Sequence, residues 1–201
     1  MTTINIDTIE LAKGSHSKSD GEMCLLEAVA YIAGEPWTDR PQCVDPVLGA
    51  FGRAWNDALP DDKRTELLRP FIPRLIGTRS TPDIQDARAF MAADWAVRTY
   101  TPVWLRAAGI EEEAAELAAL PALSSTELCK AAMPIIEKAR KRGDAAWDAA
   151  WDAAGDAVGA AVAWAAAWAA VGDALAPHVE LLQTSAVDLF DRMIKLTEVA
   201  T

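Results

Sequence analysis

Cys24, Glu27 and Tyr31 follow one another at three- and four-residue spacing, and His16 stands on the polar stretch just before them. On a helix that spacing puts the three side chains on one face. Placed in the first turn, Cys24 would feel the positive end of the helix dipole, which lowers a thiol pKa and favours the nucleophilic thiolate. His16 or His178 would then serve as its base in covalent catalysis. The competing reading is a buried structural cysteine, the usual fate of the residue type. His16, Cys24 and Cys43 match no standard zinc spacing, so neither a metal nor another cofactor is expected.

Glu27 is the sharper signal, because it interrupts CLLEAVAYIA, a run otherwise apolar on nearly every face. A carboxylate there needs a partner, and Arg53 in the following helix or Arg40 in the intervening loop would supply one as a buried ion pair. With Trp37 and Trp55 close in sequence, the same groups could instead line a small-ligand pocket. Its candidate residues are Glu27, Tyr31, Trp37, Asp39, Arg40, Arg53, Trp55 and Asn56. They belong to the densest polar stretch of the chain, from His16 to Asp57, which also holds Asp20, Cys43 and Asp45. The phosphate-binding, metalloprotease and serine-hydrolase signatures are all missing, which makes a common nucleotide-dependent or hydrolytic enzyme less expected.

These residues must be positioned by helices. The first residues alternate Ile4, Ile6, Ile9 and Leu11, a short strand or an extended arm. GSHSKSDG is a loop whose Asp20 can cap a helix running to Gly34. Asp45-Pro46 opens the next helix, and Pro60 ends it. Pro70 and Pro73 divide the following stretch, and the pattern launched by Thr81-Pro82 bends at Pro102. A short acidic helix and one capped by Ser124 or Ser125 come next, and an amphipathic closing helix is expected to begin near Pro177.

Between Asp144 and Gly172 the chain becomes an alanine and tryptophan repeat. A four-residue period drifts by about 40° per repeat on an α-helix, so Trp147 and Trp151, and again Trp164 and Trp168, trace slowly winding stripes. The segment reads as one central helix or a helical hairpin around which the rest packs. A homo-oligomer seam through these four tryptophans is the alternative role.

Alanine supplies much of the apolar content and Trp (8) outnumbers Phe (4) and Tyr (2), which favours close helix packing over sheet. The expected fold is all-α, a single-domain bundle of about seven or eight helices over 1–201. It comprises an arm and loop (1–20), a helical core (21–142) and a repeat helix with the closing helix (143–201). A net charge of −11, from 30 acidic against 19 basic residues, disfavours direct nucleic-acid binding and suits a basic partner surface. The uncharged run between Asp156 and Asp173 is too short to span a bilayer, so no membrane segment is expected. Three scattered cysteines read as reduced thiols, and TTINIDTIEL has no signal-peptide character, pointing to the cytoplasm.

The segments GSHSKSDGEMCLLEAVAYIAGEPWTDRPQCVDPVLGAFGRAWNDALPDD, RLIGTRS and ADWAVRTYTPVWLRAAGIEEEAAELAALP, with the Ala/Trp repeat and the ending LAPHVELLQTSAVDLFDRMI, resemble a family of uncharacterised proteins from actinobacterial phages and their hosts. GEMCLLEAVAYIAGEPWTDRPQCVDPV is the most specific block. The resemblance implies a phage or prophage setting in a bacterial cytoplasm and assigns no site residue. Together these features lead to the expectation of a non-enzymatic accessory protein that binds a host protein, in host takeover or counter-defence. The alternatives are a small-molecule binder with its pocket around Glu27, Trp37 and Arg53, and a Cys24-dependent enzyme.

Overall fold

The computed structural model describes residues 5–156 and 161–197, with side chains over 5–146 and 176–197. It is all-α, with no strand among the described residues. From Asn5 onward the described N-terminal residues form an arm that carries a 3-10 turn at Ile6–Thr8, instead of the strand considered from the alternation, of which Ile4 lies outside the described residues. Ile9 and Leu11 are nevertheless buried, so the alternation records which side of the arm lies on the core. The chain divides into two compact units, Met1–Ala89 with Phe190–Thr201, and Phe90–Leu189. This division cuts across the segments 21–142 and 143–201.

In the first unit, α1 (Leu25–Ala33) begins at Cys24 and ends at Gly34, whose φ of 72° lets the chain turn left-handed where a side chain would be strained. Asp20 does not cap this helix as expected. Its carboxylate accepts from the Ser17 backbone N–H (2.7 Å) and hydroxyl (2.6 Å), closing the loop on itself four residues earlier. α2 (Pro46–Ala58) opens with the expected pair, the Asp45 carboxylate accepting from the N–H groups of Val47 and Leu48 while Pro46 supplies the first turn. Past Pro60 comes α3 (Asp61–Leu68), and Pro70 and Pro73 break the remainder into a 3-10 turn (Arg69–Phe71) and a single turn, α4 (Ile72–Leu75). Leu25, Leu26, Leu48, Leu68, Ile72, Leu75 and Met193 are fully buried. Around Phe190 stand Phe51, Trp55 and Phe71, with ring centroids 5.0 to 5.8 Å from it.

α5 (Pro82–Trp95) passes from the first unit into the second and leads through a π turn (Ala96–Tyr100) into α6 (Thr101–Ala107). The π turn stands immediately before Pro102, the residue at which a bend is expected. Pro102 has no N–H to give and its ring crowds the preceding turn, and the helix widens just before it. The Thr101 hydroxyl covers the Ala96 carbonyl at 2.8 Å. α7 (Glu111–Ala118), α6 and α8 (Thr126–Asp156) bury Leu105, Ile110, Ala114, Leu117, Leu120, Leu123, Ala132 and Ala139 as the second unit's core.

The last helix, α9 (Ala161–Lys195), starts well before Pro177, which lies inside it. The expectation of a start near Pro177 overrates one missing N–H, a loss of about 3 kcal/mol, against an alanine-rich segment of strong helix propensity. Trp147 and Trp151 fall on α8, and Trp164 and Trp168 on α9. Their side chains, and hence the oligomer seam read from them, lie outside the described residues, as does the junction at 157–160 that separates one helix from a hairpin.

Candidate functional site

The site is in the first unit, where the N-terminal loop crosses the start of α1 and the last turns of α2. Asn56, completely buried, holds these pieces together. Its side-chain amide donates to the Ala12 carbonyl (2.9 Å), and its Oδ1 accepts from Leu25 N–H (3.1 Å), one of the donors left open at the start of α1. Asp57 next to it accepts from Gly14 N–H at 2.8 Å. Gly14 has φ of 90°, a backbone conformation that favours glycine at the point where the loop leaves the arm.

Glu27 is 1% exposed, and its partners are neither Arg53 nor Arg40. Oε1 accepts from His16 N–H (2.6 Å), and Oε2 accepts from Cys24 N–H (2.8 Å) and lies 3.1 Å from His16 Nδ1. The carboxylate is thus the returning half of a capping box at the start of α1, and the same group straps down the preceding loop. Trp37 fastens the strap from the other side, its indole N–H donating to the His16 carbonyl at 2.8 Å. Glu27 is therefore held by backbone donors of the kind every helix start offers and by a loop histidine, not by the opposite charge expected from Arg53 or Arg40.

The expected nucleophile is not assembled. Cys24 is the residue preceding α1 and is 2% exposed, and burial first, with the Glu27 carboxylate adding to it, pushes its thiol up to about 12. Desolvation therefore outweighs the helix dipole, reversing the expected direction of the shift. His16 gives Nδ1 to Glu27, and its Nε2 faces Glu22 at 3.5 Å. Cys43 is also raised, by burial and then by a hydrogen bond to Glu35. Among the described residues no group of three or more His, Cys, Asp or Glu side chains is arranged to hold a metal ion.

Beside the strap lies a cavity of about 100 Å³, lined by Gly14, Ser15, Cys24, Asp39, Arg53, Asn56 and Asp57. Arg53 reaches across it from α2, donating through Nη1 to the Asp39 carbonyl (2.9 Å), with Nε 3.8 Å from the Asp39 carboxylate. The cavity offers one guanidinium, two carboxylates and a thiol that stays protonated, a set able to recognise both donors and acceptors. A scan of protein-family models and searches of curated proteins and of solved structures find no match to this chain.

Of the ligand-pocket candidates, Asp39, Arg53 and Asn56 line the cavity. Cys24, singled out for catalysis, lines it too. Glu27 and Trp37 hold the loop beside it, and Tyr31, 39% exposed, leans against Trp37 with ring centroids 6.4 Å apart. Arg40 points to solvent, its side chain 79% exposed. Trp55 belongs to the aromatic core around Phe190 and Phe71, a correction to its placement in the pocket. Gly14, Ser15 and Asp57 line the cavity without being among the candidates, since neither a polar loop nor one more acidic residue at a helix end signals in the sequence what it covers. A buried pair that the sequence reading also missed, Asp45 with Arg88, lies in the same unit at 2.7 Å.

Proposed function

We propose that the protein is a non-enzymatic binder of a small polar molecule, held in the cavity between the N-terminal loop, α1 and α2. The supporting observation is the convergence of Asp39, Arg53 and Asp57 on one enclosed space beside the buried Asn56. A volume of about 100 Å³ suits a molecule of a few heavy atoms, or the tip of a larger one. The ligand carries donors for Asp39 and Asp57 and an acceptor for Arg53. Native mass spectrometry of protein purified gently from a bacterial cytoplasm tests this, since a retained ligand is released on denaturation. Arg53→Ala is expected to weaken binding about tenfold or more, through loss of a charge-assisted hydrogen bond, with the helical fold retained. A protein that carries no ligand and whose melting temperature no small polar solute raises would count against the proposal.

A second reading rests on the excess of 30 acidic over 19 basic residues. It suits an accessory role of phage type, in which the protein engages a basic surface of a host protein during takeover or counter-defence. A salt-sensitive, specific partner captured from host lysate, with Arg53→Ala behaving as wild type, would favour this reading over the first.

A further inference from the structure

We infer a second binding site, in the unit Phe90–Leu189 and independent of the first, that takes an apolar α-amino acid. The π turn, α6, α7 and α8 enclose a cavity of about 330 Å³ walled by Val97, Leu105, Leu117 and Ile136. That volume lies within the range of small-molecule sites, and an apolar wall with few polar groups is their usual make-up. The polar lining comprises Thr101, whose hydroxyl already donates to the Ala96 carbonyl, and at the exposed mouth the charged residues Arg140 and Asp144, one helical turn apart on α8. Neither Arg140 nor Asp144 has an ion-pair or hydrogen-bond partner among the described residues, although their spacing would let them pair with each other.

A bare carboxylate at this mouth would meet Asp144 as well as Arg140, and a bare amine would meet Arg140 as well as Asp144. A zwitterionic head satisfies both, its carboxylate on Arg140 and its ammonium on Asp144, while the side chain enters the apolar space. Gly143 supports the same conclusion. Glycine inside a helix costs about 1 kcal/mol relative to alanine. Among the described residues packing does not demand it, since an added Cβ would meet Leu105 Cδ2 at an ordinary 3.8 Å and nothing nearer. Gly143 is one of the lining residues, and without a side chain it takes no space from the cavity.

The test is isothermal titration calorimetry of the full chain with L-leucine and L-phenylalanine. The comparison probes are glycine, which lacks the apolar body, 4-methylpentanoate, which lacks the ammonium, and isopentylamine, which lacks the carboxylate. Saturable binding of leucine or phenylalanine is expected, with each comparison probe weaker by about tenfold or more. Gly143→Leu should abolish the heat without lowering the melting temperature, because it fills the cavity while improving helix propensity. Arg140→Gln with Asp144→Asn, both at exposed positions, should remove binding even if the leucine variant fails to fold. No saturable binding of either amino acid, equal binding of 4-methylpentanoate or isopentylamine, or undiminished binding in the Arg140/Asp144 double variant would each overturn the inference.

Discussion

Replacing Arg88 by Met is expected to be among the most costly single changes in the first unit. Arg88 is 2% exposed and Asp45 is completely buried. The guanidinium Nη1 lies 2.7 Å from Asp45 Oδ2 and also donates to the Thr78 carbonyl and the Ser80 hydroxyl, both at 3.0 Å. Nε and Nη2 donate to the carbonyls of Met193 (2.9 Å) and Leu196 (3.0 Å), where α9 ends and its last acceptors have no helical partner. Methionine matches the stem and offers none of these donors. It leaves Asp45 buried without its counter-charge, a loss of about 3–5 kcal/mol for one broken buried pair. Asp45→Asn keeps the α2 cap, since asparagine is as good a capping residue, and removes the charge while turning the acceptor that faces Arg88 and Ser80 into an amide donor. In a double-mutant cycle the two changes should couple by about 2 kcal/mol or more. With two compact units in the chain, unfolding need not be a single step. Urea dependence of hydrogen exchange, read at amides of α1 and α2, isolates the relevant unit. A loss below about 1 kcal/mol for Arg88→Met, or strictly additive single effects, would refute the argument that this pair holds the end of α9 to the start of α2.

At pH 8, Cys24 should react with iodoacetamide about a thousandfold more slowly in the native protein than in urea, because a thiol pushed up to about 12 is almost entirely protonated. Equal rates by mass spectrometry would show the thiol to be neither buried nor raised. Burial raises the Glu35 carboxyl, but hydrogen bonds from the Cys43 thiol and the N–H groups of Gln42 and Cys43 outweigh it and hold the group below its ordinary value. The stability this confers is present above the ordinary carboxylate range and is lost as pH falls through the lowered folded value. Glu35→Gln should therefore flatten the acid limb of a stability-versus-pH curve, and an unchanged limb would remove Glu35 from the account. Gly52→Leu should destabilise by about 1–3 kcal/mol by overpacking. Even a Cβ there would stand 3.2 Å from the side chains of both Leu25 and Leu26. Unchanged thermal stability in that variant would mean that α1 and α2 are packed less closely than a 3.2 Å contact requires.

What was legible in the sequence is what local rules decide. Asp45-Pro46 and Gly34 mark helix ends because capping and left-handed turns depend on the residue itself and its immediate neighbours. The all-α character follows from alanine content and helical periodicity, which also depend only on neighbours. The partners of Glu27 were not legible, since they are backbone N–H groups and His16, eleven residues upstream on a loop whose path no periodicity describes. Trp55 illustrates the opposite error. Its neighbours in sequence are polar, which suggested a pocket, while its neighbours in space are Phe71 and Phe190.

The burial of Cys24, Glu27 and Asn56 at one helix start ties site and fold together. Glu27 and Asn56 supply acceptors to backbone donors that α1 would otherwise leave open, and Asn56 also holds the arm at Ala12, so the elements that form the cavity are fixed by bonds that any folded version of this unit must make. The group that closes across the cavity, Arg53, is not fixed in that way. At 28% side-chain exposure it is bound to Asp39, a residue of the loop between α1 and α2, through one hydrogen bond and one loose ion pair. A scaffold that is fully satisfied beside a charged pair that is only partly so is the division of labour a binding site requires, because a ligand can replace the weak contact without breaking the strong ones. The same reasoning sets Arg53 apart from Arg64, whose buried guanidinium is bonded to the Asn56 and Leu59 carbonyls and to Asp61 and has little left to offer a ligand. Loss of Arg53 should therefore alter binding and spare the fold, and loss of Arg64 should do the reverse.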